Sequence, residues 1–369
     1  MPEGRTPLEE DIRRRIARTG PIPVAEFMAM CLYDPEHGYY NRCAPFGASG
    51  DFITAPEISQ MFGELIGLWA AAVWQSMGAP DPVALIELGP GRGTMMADAL
   101  RAVRAAPGFR KAVRVHLVET SPELALTQRR TLGSTGDVML HWHTSIGEVP
   151  TGPAIILANE FFDALPVHQA ERRATGWHQR AVAVDAGGEL EFTVASDPLA
   201  DPPPAVARAR IGEIFEWRPG DVATAIARRV AQEDREHQGG AALIIDYGHP
   251  RSAAGDTFQA VRSHEYASPL ALPGLTDLTA HVDFEALGKA AREAGARVHG
   301  PVAQGTWLKR LGIEARAAVL LANAAEDKRP GIAAALERLT GTGPGHMGSL
   351  FKAIGFSAPG IVQLPGFGP

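Results

Sequence analysis

Three glutamates stand at the ends of apolar runs, where a buried strand would deliver a carboxylate to the rim of a sheet: Glu87, Glu119 and Glu160. Glu87 leads into Leu88-Gly89-Pro90-Gly91-Arg92-Gly93-Thr94, and glycines at such spacing let the backbone turn sharply and pass close to a ligand. The chemistry this suggests is the holding of a nucleotide-like cofactor. A dinucleotide site wants G-x-G-x-x-G, with pyrophosphate resting on the helix that follows. Here the third glycine comes one place early, and Thr94 stands where that pattern wants glycine. The charge of Glu87 would repel a pyrophosphate but suits a cation or an amino group. S-adenosylmethionine carries a sulfonium and an α-ammonium and no phosphate, so the sign of the charge favours it.

Glu119 follows the run Val113 to Val118 and precedes Ser121-Pro122, a helix start. A carboxylate at the tip of the neighbouring strand is placed to accept both hydroxyls of a ribose. Its alternative role is to neutralise the N-terminus of the next helix. Trp142, between His141 and His143, is a candidate to stack on adenine. Two histidines at i and i+2 without a nearby carboxylate or cysteine read as ordinary pocket or surface residues, so no metal is expected. Past the run Ala154 to Ala158 comes Asn159-Glu160-Phe161-Phe162-Asp163-Ala164-Leu165-Pro166. Ligands of open α/β sheets bind beyond the carboxyl ends of strands, so these polar groups should face the site, and Asn159 and Glu160 are candidates to hold a nucleophile. Asp163 fits a turn signal before Leu165-Pro166.

The elements that must position these groups follow from periodicity and breakers. Thr54-Ala55-Pro56-Glu57 reads as a capping box, opening a helix whose Ile58, Met61, Phe62, Leu65, Leu68, Trp69 and Ala72 share one face and which ends at Gly78. Parallel strands are expected at Val83 to Leu88, Val113 to Val118, Val138 to Trp142, Ala154 to Ala158 and Ala242 to Ile245. The last two are separated by about 80 residues, longer than an ordinary connection. That stretch predicts a hairpin of Trp177 to Val184 with Glu189 to Ala195 and a helix over 221–238, forming either a substrate wall or a stabilising flap. Val282 to Ala294 reads as a helix, Ala296 to Val302 as a strand and 306–339 as helical; Leu350 to Phe356 then returns antiparallel beside the strand. The expected organisation is an N-terminal helical region over 1–79, an α/β core over 80–160 and 240–369, and an inserted subdomain over 161–239.

At 369 residues, with 45% hydrophobic residues and a mean hydropathy of -0.06, the composition is that of a soluble enzyme larger than one ordinary core. No apolar run is long enough to span a bilayer. The first 20 residues mix acidic and arginine side chains, unlike a secretory or transit segment. Two cysteines are too few for a disulfide framework, which points to a reducing cytoplasm. A net charge of -7 argues against nucleic acid and permits a basic protein partner.

Taken in order, Gly50 to Glu57, Glu87 to Thr94, Asn159 to Pro166, Asp246-Tyr247-Gly248, Gln304, Leu308 to Ile313 and Met347 to Lys352 resemble the MidA family. The match runs from about Pro21 to Lys352 and covers every motif. The resemblance implies a class I, Rossmann-like methyltransferase that uses S-adenosyl-L-methionine and modifies a protein arginine, as mitochondrial members do on the 49 kDa subunit of respiratory complex I. A bacterial counterpart of that subunit is the implied partner. Glu160 is then the first choice to clamp a guanidinium, with Asp163 second and Asn159 orienting; Glu87, Gly89, Gly91, Gly93, Glu119 and Trp142 would hold cofactor. Asp51 and Phe52 join the pocket because the family motif lies there. Two other functions fit the same residues: a methyltransferase of small molecules, or an assembly module that binds S-adenosylmethionine without catalysis.

Overall fold

The computed structural model describes residues 4–42, 53–133, 135–136, 138–201, 209–232, 239–262 and 265–368. The chain divides into two compact units, each gathered from separate stretches: 1–52, 163–219 and 251–283 in the first, and 53–162, 220–250 and 284–369 in the second. These units are drawn differently from the expected ones. The first 52 residues part from 53–79 and join most of the insertion, because Ile22 pairs antiparallel with Val182. Local periodicity carries no signal of so distant a pairing. The helix Asp221–Ala231 leaves the insertion for the core unit, where Ala223, Ile226, Ala227 and Val230 are buried.

In the first unit, the helix Pro7–Thr19 starts at Thr6, whose hydroxyl accepts the amide of Glu9 at 3.1 Å. Its Leu8 and Ile12 pack with Phe27 and Met28 of the helix Val24–Tyr33 against Val182 and Leu278. The expected hairpin is present, as Gly176–Val184 paired with Leu190–Pro198.

In the second unit the strands are β1 (Val83–Leu88), β2 (Val113–Val118), β3 (Met139–His143), β4 (Ala154–Asn159), β5 (Gly240–His249), β6 (Arg297–Ala303) and β7 (Phe351–Ser357). The helices used below are α1 (Ala55–Ile58), α2 (Gln60–Ser76), α3 (Thr94–Ala102) and α4 (Pro122–Leu132). The sheet runs β6-β7-β5-β4-β1-β2-β3, with β1 to β5 parallel and β7 antiparallel to both neighbours. This is the mixed sheet of a class I methyltransferase. Chain order reverses at β1, which has β2 on one side and β4 on the other, so a crevice must open between the carboxyl ends of β1 and β4.

The expected single helix after Thr54 is two. Ser59 is extended at φ -162°, ends α1 and opens α2 by accepting the amide of Met61 at 3.2 Å. The capping box is not formed either: Thr54 makes no side-chain cap, and Glu57 turns elsewhere. The apolar face of α2 is core at Met61, Phe62, Leu65 and Trp69, whereas Leu68, which spacing placed on that face, is exposed; Gly67 allows the helix to lie directly on α3, since a Cβ there would come within 2.6 Å of the Ala99 carbonyl. The nearly buried Glu64 fastens this layer by accepting Arg101 at 3.1 Å and Arg316 at 2.7 Å. The layer fixes the start of α3, and with it the glycine turn. No helix of the described residues is long and apolar enough to cross a membrane.

Candidate cofactor and substrate site

Leu88 lies in register with Ala158, so the glycine turn and Asn159-Glu160 leave adjacent strands side by side at the crevice. Gly89, Gly91 and Gly93 all have positive φ, at 60°, 54° and 81°, which carries the chain around the turn and into α3. A Cβ on Gly89 would sit 3.0 Å from the Phe161 ring, so the turn is packed closely onto the loop after β4.

Glu87 is buried, and its Oε2 has no hydrogen-bond partner. Burial, reinforced by the Glu119 carboxylate, pushes its carboxyl up to about 8. Asn159 has the same character on the neighbouring strand: Nδ2 donates to Glu160 Oε1 at 3.2 Å while the buried Oδ1 is unpartnered. Two buried acceptors without donors on adjacent strand ends are what a ligand bearing a positive, proton-rich group would satisfy. The residues present therefore fit the α-ammonium of S-adenosylmethionine.

Glu119 combines both roles that its position suggests. Its Oε1 accepts the Ser121 amide at 2.8 Å, at the start of α4, and its Oε2 accepts Gln128 Nε2 at 3.0 Å. Each oxygen keeps a lone pair for a ribose hydroxyl. Burial raises this carboxyl above the usual range, opposed by the bonds from Ser121 and Gln128.

Gln128 is the residue that motif reading missed. It is fully buried on α4 and also donates to the Gly91 carbonyl at 2.9 Å, while its Oε1 accepts Trp142 Nε1 at 3.0 Å. One side chain thus joins the glycine turn, Glu119 and β3. The available signal was its spacing, four residues from both Leu124 and Leu132, which puts an amide on the apolar face of the helix. Trp142 has its indole N–H committed to Gln128, and the Arg129 guanidinium lies 3.8 Å over its ring. One of its two faces is therefore already taken.

Glu160 occupies the left-handed region at φ 48°, a conformation that a non-glycine residue holds only when its surroundings impose it. Its amide donates to the Ile245 carbonyl at 2.8 Å, and its Oε1 accepts the Ala55 amide at 3.0 Å. Asp246, fully buried, secures the same loop: its two oxygens accept the amides of Phe162 and Tyr247, both at 2.9 Å. Tyr247 packs its ring against Phe351. Asp163 belongs to the first unit, where its side chain accepts the Ala164 amide at 2.9 Å and its carbonyl accepts Arg218 at 2.9 Å, the turn role its sequence context suggested. Asp51 and Phe52 lie outside the described residues.

On the other face of β3, His141 and His143 stack against His116 of β2, with His116 Nδ1 2.9 Å from His143 Nε2. They line a cavity of about 740 Å³ with Arg114 and Glu148. No cluster among the described residues is arranged to hold a metal ion.

The family described as "Putative S-adenosyl-L-methionine-dependent methyltransferase" matches residues 65–302. This chain belongs to it, and to the MidA family within it. It is 38% identical to the mitochondrial protein arginine methyltransferase NDUFAF7 homolog of Drosophila melanogaster over 97% of this chain and 86% of that one. With the human mitochondrial protein arginine methyltransferase NDUFAF7 it shares 37% identity, over 86% of this chain and 76% of that one. A solved structure from Burkholderia thailandensis, bound to S-adenosylhomocysteine, superposes with a TM-score of 0.81 at 30% identity, covering 97% of this chain and 93% of the other. The MidA member described here is an S-adenosylmethionine-dependent methyltransferase, and Glu87, Glu119 and the glycine turn are the groups on this chain suited to that cofactor.

Proposed function

We propose that this enzyme methylates an arginine side chain of a protein, with Glu160 holding the guanidinium. The observation that carries this reading is the restraint on Glu160, a carboxylate set at φ 48° and fixed by Ala55 and Asn159 beside the cofactor turn. Bound S-adenosylmethionine supplies an electrophilic methyl group. The chain supplies alignment. A guanidinium stays protonated in proteins and pairs with carboxylates in a planar fork, so a fixed carboxylate beside the methyl donor selects this group and points one nitrogen. The relatives named as protein arginine methyltransferases support the same substrate class. A counterpart of the 49 kDa subunit of complex I is the first partner to try, and a cytoplasmic enzyme would meet such a subunit during assembly.

Glu160→Gln preserves size and the acceptor for Ala55 while removing the charge. Binding of S-adenosylhomocysteine should persist, and single-turnover methylation of the 49 kDa counterpart should fall by about a hundredfold or more. Equal rates in variant and parent would remove Glu160 from the reaction. A parent enzyme that binds cofactor but methylates no arginine-bearing partner would favour a binding module instead.

A further inference from the structure

Thr94 and Ala55 are not neighbours in sequence, yet both are joined through one turn of helix. Thr94 opens α3 immediately after the glycine turn and donates its hydroxyl to Glu57 Oε1 at 2.6 Å. Glu57 sits on α1, whose first residue, Ala55, donates its amide to Glu160 at 3.0 Å. The bond from Thr94 is short and ends on a carboxyl oxygen, so it ties the start of α3 closely to α1. α1 is a single turn, closed by the amides of Glu57 and Ile58 donating to the Thr54 carbonyl at 2.9 and 3.2 Å, so its two attachments lie within one turn, and the extended Ser59 separates it from α2.

We propose that α1 is a positioning element that ties occupancy of the cofactor site to the setting of Glu160, with Glu57 and Thr94 as its coupling pair. This rests on the cofactor and substrate reading above and adds a route between them. A ligand entering the glycine turn moves or stiffens Thr94. Glu57 follows, the turn holds the Ala55 N–H more firmly, and the bond that already sets the Glu160 carboxylate tightens for an incoming guanidinium when a methyl donor is present. Glu57 is the telling residue: three places after an N-cap threonine, a glutamate would ordinarily reach back to its own helix start. Here it is spent on the cofactor loop.

The test is amide-resolved hydrogen exchange of the full chain with and without saturating S-adenosylhomocysteine, in the parent and in Thr94→Val. In the parent the ligand should slow exchange at Ala55 by about tenfold or more, the usual scale of coupling between sites. In Thr94→Val, whose side chain keeps its shape, the ligand should still bind while exchange at Ala55 stays within about twofold of the unliganded value. Glu57→Gln should show a reduced ligand effect at the same amide and serves where Thr94→Val does not fold. No ligand effect at Ala55 in the parent, or equal protection in the variants, overturns the proposal while leaving the cofactor assignment intact. Failure of the parent to bind S-adenosylhomocysteine would overturn both.

Discussion

Gln128 holds Glu119 from within the helix that Glu119 helps to begin, donating across 3.0 Å to the oxygen that Ser121 leaves open. The same amide group reaches the Gly91 carbonyl, so the Glu119 carboxylate and the glycine turn share a single donor. Gln128→Leu should therefore cost more than its size suggests. It strands Glu119 Oε2, the Gly91 carbonyl and the Trp142 N–H, and each buried group left unpaired costs about 1–3 kcal/mol. Differential scanning fluorimetry should show a clear fall in melting temperature. Titration calorimetry should show weaker S-adenosylhomocysteine, and an unchanged affinity would detach Gln128 from the site.

Glu119→Ala should weaken S-adenosylmethionine and S-adenosylhomocysteine equally, because both carry the same ribose. Bonds to a charged acceptor are worth about 1.5–3 kcal/mol, or roughly tenfold to a hundredfold in affinity. Competition of the two ligands on parent and variant measures this directly. A selective loss of one ligand would place Glu119 near the sulfur instead.

Gly91→Val puts a β-branched residue at φ 54°, where an L side chain costs about 1–2 kcal/mol before any contact with ligand is counted. Far-ultraviolet circular dichroism should be preserved and cofactor binding lost. Retained binding would show that the turn tolerates a different path.

The buried Glu87 makes the ligand-free protein sensitive to pH in a defined direction. Its carboxyl is raised from 4.5 to about 8, so between these values the folded state keeps a proton that the unfolded state has released. Its contribution to stability is full below pH 4.5 and is lost as the pH climbs through about 8. Denaturant titrations at stepped pH should show this decline, and Glu87→Gln should lack it. A cationic ligand favours the ionised form, so saturating S-adenosylmethionine should flatten the slope in the parent as well.

Most of the core was legible because parallel strands buried on both faces announce themselves as unbroken apolar runs. Val83–Leu88 and Val113–Val118 match their expected bounds, and Phe351–Ser357 closes the sheet antiparallel, as its late position suggested. The positions of Glu87, Glu119 and Glu160 at strand ends were readable for the same reason. The contacts of Gln128, Glu57 and Asp246 were not. Their importance lies in partners 9 to 84 residues away, and a pattern of types along the chain does not encode which distant amide or hydroxyl will arrive. The break at Ser59 was hidden likewise, because the apolar stripe of α2 continues smoothly into Ile58.

The placing of β7 between β5 and β6 has a consequence for how the molecule is made. On the ribosome, the edge of β5 that β7 will cover is finished roughly a hundred residues before its partner exists, a wait of about 5–20 s at ordinary elongation rates. Throughout that interval a long apolar strand lacks its final neighbour, and β6 has nothing to dock against. The newborn chain should therefore depend on chaperone cover late in synthesis, and a stop codon anywhere before residue 351 should yield aggregate in place of a smaller enzyme.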